Sequence, residues 1–258
     1  MASQNPIILI ISGAWHVPIH YAKLKSALEA AGYEVHVPQL PTANGARPPT
    51  ADLYTDTEFI REFVTTLMDG GRKIIVIMHS YGGQVGTNAL HGLGIKERIA
   101  NGKSGGIIHL VYMVATAYLE GDSMVSTVEQ AGLGDMLLAG FPTDEDGIVR
   151  CADARVQMFG PDYVGPEIEA YVASMGIWNV KAMHQPIQHS CAWRTIPVTY
   201  IHATQDMAMP LEVQVSVVDN MEKEGVSVKT HRLEASHCPH FTHANEVTDV
   251  IGGLDNTI

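Results

Sequence analysis

The sequence predicts an α/β fold on a mostly parallel six-stranded sheet flanked by helices, and three observations carry that prediction. Short β-branched runs alternate with stretches of helical period along most of the chain. Most of those runs are continuously apolar, the mark of strands buried on both faces. The chain has 258 residues, enough for one substantial core and lean for two domains.

The first strand is expected at Ile7–Ser12, which opens on five consecutive Ile and Leu residues with no polar face. A helix-period stretch, Tyr21–Ala31, precedes a second strand at Glu34–Val37. The loop Pro41–Pro49, rich in Pro, Gly and Ala, leaves that strand's C-terminal end, where open α/β sheets place their sites. Helix Thr55–Met68, strand Lys73–His79, helix Gly83–Leu93 and strand Ile107–Val114 continue the alternation. It resumes with strand Pro197–His202, helix Leu211–Glu224, the more polar edge strand Val226–Leu233 and helix Ala244–Leu254. Right-handed crossovers are the expected connections.

One interval, Ala117–Arg194, breaks the pattern and contains no convincing strand. Helical periods occur at Met124–Leu138, Asp153–Phe159 and Pro166–Met175, joined by Gly/Pro turns and the acidic turn Asp144–Asp146. A structureless loop of that length is foreign to a compact domain. The interval therefore reads as a helical lid inserted into a single domain spanning residues 1–258.

Composition narrows the function. Hydrophobic residues make up 46% and charged residues 17%, so the chain is globular rather than disordered. With 16 Lys+Arg against 28 Asp+Glu, the net charge of −12 repels phosphate backbones and anionic lipid. The expected partner is a small-molecule substrate, with neither nucleic acid nor membrane, and the protein is read as a monomer or homodimer. Cys151, Cys191 and Cys238 are an odd number without a C-x-x-C, which fits free thiols in a reducing compartment. Met1–Pro6 carries no basic residue, and the apolar run after it is too short for a signal core. A cytoplasmic location is the expectation.

The chemistry concentrates where strand Lys73–His79 runs into Ser80-Tyr81-Gly82-Gly83 and then a helix. A serine on such a turn is a nucleophile elbow: the strained backbone exposes the hydroxyl, and the glycines admit close packing. The usual G-x-S-x-G pattern has Met78 at its first glycine here. A serine nucleophile needs a base and a carboxylate to orient it. Asp206 follows the strand Pro197–His202, and His237 follows Val226–Leu233, so both belong at C-terminal strand ends beside Ser80. Glu120 is the alternative acid, and His240 and His243 are alternative bases. The spacing of His237, His240 and His243 invites a metal reading, but Pro239 opposes a shared helical face and no carboxylate pair completes a site. No metal and no cofactor are expected. The oxyanion needs two backbone N–H groups, expected from Tyr81 and from Ala14 in the loop after the first strand. Trp15 is placed at the pocket wall.

These residues resemble the α/β-hydrolase superfamily, whose nucleophile–acid–base order is that of Ser80, Asp206 and His237. More narrowly, the chain is similar to the compact branch of plant methylesterases, hydroxynitrile lyases and small microbial esterase-like hydrolases. The resemblance spans Gly13-Ala14-Trp15-His16, His79-Ser80-Tyr81-Gly82-Gly83, Ala192-Trp193-Arg194-Thr195-Ile196-Pro197, Asp206 with Pro210, and Ser236-His237. It implies ester-type hydrolysis without a cofactor. Two departures bear on chemistry: the cyanohydrin-cleaving relatives carry a lysine after the catalytic histidine and a threonine in the first loop, where this chain has Cys238 and Gly13. Both disfavour lyase activity.

Catalytic residues are thus expected at Ser80, His237 and Asp206, and substrate contacts at Trp15, His16, His79, Met124, Trp178 and Cys238. Cys238 is also an alternative nucleophile, though without an elbow. Met124, Met136, Met158, Phe159, Tyr171, Met175 and Trp178 make the insertion apolar; some must face the cleft and favour an apolar substrate. Arg47 and Arg194 are candidate anchors for a carboxylate or phenol. The expected reaction is hydrolysis of an ester, lactone or thioester. An acyl-transfer or lactone-forming enzyme, a hydroxynitrile lyase-like enzyme and a non-hydrolytic receptor on the same fold are the rivals.

Overall fold

Ile7–Ile11 forms β1, buried along its whole length. Successive side chains of a strand point to opposite faces, so its five apolar residues serve two cores. Ile7, Leu9 and Ile11 belong to one, with Leu53, Ile60 and Val64 of α2 (Leu53–Met68). Ile8 and Ile10 belong to the other, with Leu24 and Leu28 of α1 (Ala22–Ala30) and Val247 and Ile251 of α12 (Ala244–Asp255). Each such side chain, fully buried, contributes about 1.5–3 kcal/mol. The result is a sheet covered by helices on both faces.

The computed structural model describes residues 5–160 and 163–255. Of the N-terminal stretch read as lacking a targeting signal, residues 1–4 lie outside the described residues. The sheet continues with β2 (Glu34–His36), β3 (Lys73–His79), β4 (Gly106–Met113), β7 (Val198–Ala203) and β8 (Val228–Leu233). Its order is β2-β1-β3-β4-β7-β8, and every neighbouring pair is parallel. β8, with no fully buried residue, is an edge strand as its polarity requires. The chain runs outward from β1 to β2 and returns to β3. This reversal opens a crevice at the C-terminal ends of β1 and β3, where such sheets bind ligands. The loops after those two strands carry Ala14 and Ser80.

Helices α3 (Gly82–Ala89) and α10 (Leu211–Lys223) fall where the periodicity predicts, α3 stopping short because Leu90 and Gly92 turn the chain. The short α4 (Ile95–Ala100) and the single-turn α11 (Pro239–Thr242) lie outside the predicted elements. Between β4 and β7 come α5 (Met124–Gln130), α6 (Gly134–Gly140), α7 (Ala154–Phe159), α8 (Pro166–Ala173) and α9 (Lys181–His184). Two expectations need correction here. The single helix Met124–Leu138 is two, because Gly132 adopts φ 72° and breaks it. The segment also holds strands, β5 (Ile148–Val149) and β6 (Trp178–Asn179), paired antiparallel; two-residue strands are too short to show a period.

The ends of this segment are clasped together. Glu120 accepts two hydrogen bonds from Arg194, both at 2.7 Å, and one from the Cys191 amide at 2.9 Å. The Arg194 guanidinium holds the Glu120 carboxyl down at about 2. Glu120 is therefore a clasp and not the acid of the site. No helix among the described residues is long and apolar enough to cross a membrane.

Candidate active site

Ser80 sits at the end of β3 with φ 52°, a left-handed conformation that an L-residue adopts only when its surroundings force it. The surroundings are the close approach of α3. A Cβ on Gly82 would lie 2.8 Å from the Ser12 carbonyl oxygen, and one on Gly83 would strike the backbone of Thr116. The Gly83 amide donates to the Ser80 carbonyl at 3.0 Å and starts the helix. Met78, the departure from the usual glycine, is buried. Its sulfur occupies the space left by the missing side chain of Gly86, one turn into α3.

The three residues expected to act together meet. His237 Nε2 lies 2.9 Å from Ser80 Oγ, and His237 Nδ1 lies 2.7 Å from Asp206 Oδ2. A carboxylate only accepts, so Nδ1 carries the proton and Nε2 receives the Ser80 hydroxyl. The other Asp206 oxygen accepts the Ala208 and Met209 amides, each at 2.8 Å. Asp206 is thus a turn residue and the partner of His237 at once. Among the described residues neither the Ala14 nor the Tyr81 amide has a hydrogen-bond partner, and both residues line the cavity with Ser80. The Gly13 amide is taken, donating to the Tyr21 hydroxyl at 2.8 Å.

Behind this line runs a buried polar layer. The Tyr21 hydroxyl donates to His79 Nδ1 at 2.8 Å, and His79 Nε2–H donates to the His237 carbonyl at 2.8 Å. Burial lowers the basicity of His79 strongly, and one donor plus one acceptor is the pattern of a neutral imidazole. His16 donates from Nδ1 to the Ala14 carbonyl at 2.6 Å, and its Nε2 faces the Cys238 sulfur at 3.8 Å. Burial holds His16 down at about 3. Tyr171 Oη lies 3.6 Å from Cys238 Sγ and 2.8 Å from His240 Nε2. One ligand atom each of His16, Cys238 and His240 lies within 4.8 Å of the others. These groups are knit to one another and to Tyr171. His16, His79 and Cys238, expected to contact substrate, are not among the residues lining the cavity: adjacent to site residues in sequence, they are buried in this polar layer. Burial also pushes the Cys238 thiol up, leaving it protonated and unsuited to attack.

The cavity has a volume of about 430 Å³. Trp15, Met124 and Trp178 line it as expected, with Phe141, Met158 and Met209. Trp15 stacks on Phe141 at 5.5 Å and meets Trp178 edge-on at 5.3 Å. Met136 also lines it, whereas Phe159, Tyr171 and Met175 pack elsewhere. Among the described lining residues there is no Lys or Arg, and Glu212 is the one carboxylate. Arg47 lies near Asp144, and Arg194 is engaged by Glu120 and Glu224, so neither is an anchor in the cavity. His240 is buried in the polar layer and His243 bonds Thr242, so neither replaces His237.

A family model described as the alpha/beta hydrolase family matches residues 8–250. The chain belongs to that family. It is 28% identical over 250 residues to "Alpha/beta hydrolase nvfD" of Aspergillus novofumigatus, covering 96% of this chain and 95% of that protein. Among solved structures it is similar to a pyrethroid hydrolase from Sphingobium faniae JZ-2, with TM-score 0.72 and 21% identity, covering 97% of each chain. It is also similar to polyneuridine aldehyde esterase, with TM-score 0.73 and 18% identity, covering 98% of this chain and 100% of that one.

Three contacts of this alpha/beta hydrolase escaped sequence reasoning. Trp15, at φ 63°, accepts the Gly176 amide at 2.7 Å and donates its indole N–H to the Val149 carbonyl at 2.8 Å. The loop after β1 is thereby fastened to β5 and to the chain just before β6. Asp56, fully buried on α2, accepts the Tyr81 hydroxyl at 2.9 Å. An acidic residue interrupting the apolar face of Thr55–Met68 was the one available signal.

Proposed function

We propose that the protein is a serine hydrolase acting on a neutral, mainly apolar ester, lactone or thioester. The observation that carries this reading is the hydrogen-bonded line Ser80–His237–Asp206 opening into an apolar cavity. Ser80 Oγ attacks the carbonyl carbon while its proton passes to His237 Nε2. Negative charge develops on the carbonyl oxygen, which the free amides of Ala14 and Tyr81 receive. The carbon–heteroatom bond then breaks, and His237 returns the proton to the departing alkoxide or thiolate. Water, deprotonated by His237, resolves the acyl-enzyme and frees Ser80. Asp206 keeps the imidazole in the required tautomer and stabilises its cationic form.

The cavity supports the substrate class. Aromatic and methionine side chains solvate an apolar group, and without a lysine or arginine a substrate carboxylate has no counter-ion there. The segment between β4 and β7 acts as a lid, since Met124, Phe141 and Trp178 from it close the cavity. The pyrethroid hydrolase and the esterase among the similar structures are consistent with ester chemistry. Cyanohydrin cleavage is disfavoured because residue 238 is a cysteine, buried and outside the cavity lining.

A panel of p-nitrophenyl esters of increasing acyl length tests the reading. Turnover should favour apolar acyl groups over ones ending in carboxylate, and Ser80→Ala should lower kcat at least about a thousandfold. Near-normal turnover in Ser80→Ala would overturn the assignment.

A further inference from the structure

Asp56 lies outside the hydrolytic machinery just described, yet it is the most deeply buried carboxylate near it. It sits on α2, near the helix start capped by Asp52, and is fully buried. Taking a carboxylate out of water is costly unless its oxygens are filled. They are: Oδ1 accepts the Thr42 amide at 2.9 Å, while Oδ2 accepts the Thr42 hydroxyl at 2.6 Å and the Tyr81 hydroxyl at 2.9 Å. All three donors come from other elements. Thr42 belongs to the turn after β2, and Tyr81 is the residue after Ser80.

Tyr81 therefore has two ends with separate tasks. Its amide has no hydrogen-bond partner and the residue lines the cavity, whereas its hydroxyl is fixed to Asp56. Its ring also meets Trp178 edge-on at 5.0 Å, so side-chain placement is set on two sides. A donor aimed at a developing oxyanion works only when its orientation is set before the reaction. We propose that Asp56 is a positioning residue: by holding the Tyr81 hydroxyl it aims the Tyr81 amide at the oxyanion, and protonation of Asp56 loosens that aim. The inference rests on the serine-hydrolase reading.

Chemistry gives the direction of the effect. As a carboxylate, Oδ2 accepts both hydroxyls. Once protonated, the group must itself donate, and one of its three acceptor contacts is lost. The groups facing it are Thr42, Tyr81 and, by charge alone, Asp52. Burial raises the Asp56 carboxyl to about 6, against the hydrogen bonds from Thr42 and Tyr81, so protonation falls within a working pH range.

The test measures the rate at which a fluorophosphonate labels Ser80, from pH 5 to 8, in wild type, Asp56→Asn, Tyr81→Phe and the double variant. Labelling needs the oxyanion donors but no knowledge of the natural substrate. Each single variant should label about tenfold slower or more, a fraction of the loss caused by deleting an oxyanion donor. The double variant should be no slower than either single one, because both remove the same contact. The acid limb should be steeper in wild type than in Asp56→Asn. With an ester, kcat should fall while KM stays within about twofold. Tyr81→Phe removes one hydroxyl, so it keeps the test open if Asp56→Asn fails to fold. Wild-type labelling with unaltered rates in the variants, or effects that multiply, would overturn the Asp56 assignment alone. Absence of labelling in wild type would overturn the hydrolase reading and this inference with it.

Discussion

Met78 and Gly86 are a compensating pair: the sulfur of one lies where the other lacks a side chain. The usual nucleophile turn places a glycine before the histidine–serine step so that the following helix can settle on the strand. Here the bulk is on the strand and the gap is on α3, which keeps Ser80 at φ 52° and within 2.9 Å of His237.

Filling the gap should therefore be costly. Gly86→Ala puts a Cβ onto the Met78 side chain and is expected to lose about 1–3 kcal/mol by urea denaturation. Adding Met78→Ala should recover part of that loss. Purely additive costs would show that the two positions do not share this space.

Trp15 couples the loop after β1 to the β4–β7 segment through its indole N–H and Val149. Trp15→Phe keeps an aromatic ring at the cavity wall but removes the indole donor to the Val149 carbonyl. The expected loss is about 1–2 kcal/mol in stability, with a lower kcat/KM for apolar esters. Unchanged stability and kinetics would mean that this contact fastens nothing.

Asp56 predicts opposite signs for stability and for rate. Its carboxyl rises from an ordinary 3.8 to about 6 in the folded protein. A raised value means that the folded state binds the proton more tightly than the unfolded chain. The resulting stabilisation is full below pH 3.8 and is lost as pH rises through about 6. The interval corresponds to roughly 3 kcal/mol. Wild type should thus gain stability relative to Asp56→Asn as pH falls from 7 to 4, while labelling of Ser80 slows. The pH dependence of the stability difference between the two proteins checks the sign; a difference that grows in the other direction contradicts it.

The sheet and the Ser80–Asp206–His237 line were legible because each rests on a local signal. Continuous apolar runs mark buried parallel strands; Ser80 directly follows one, Asp206 lies in the loop after another, and His237 lies in the loop after the more polar edge strand. What stayed hidden depends on contacts across the chain. The Trp15–Val149 bond joins the first loop to a strand too short to have a period. His16, His79 and Cys238 neighbour site residues in sequence but are buried outside the cavity lining, which residue spacing does not reveal. The helix break at Gly132 was written in the sequence, yet the apolar residues on either side masked it.

The hydrolase reading stands on Ser80 as a nucleophile activated by His237. Intact-protein and peptide mass spectrometry after fluorophosphonate treatment tests it most directly. One adduct per chain is expected, mapped to Ser80, absent in Ser80→Ala and formed far more slowly in His237→Ala. An adduct on another residue, or none on folded wild-type protein, would contradict it.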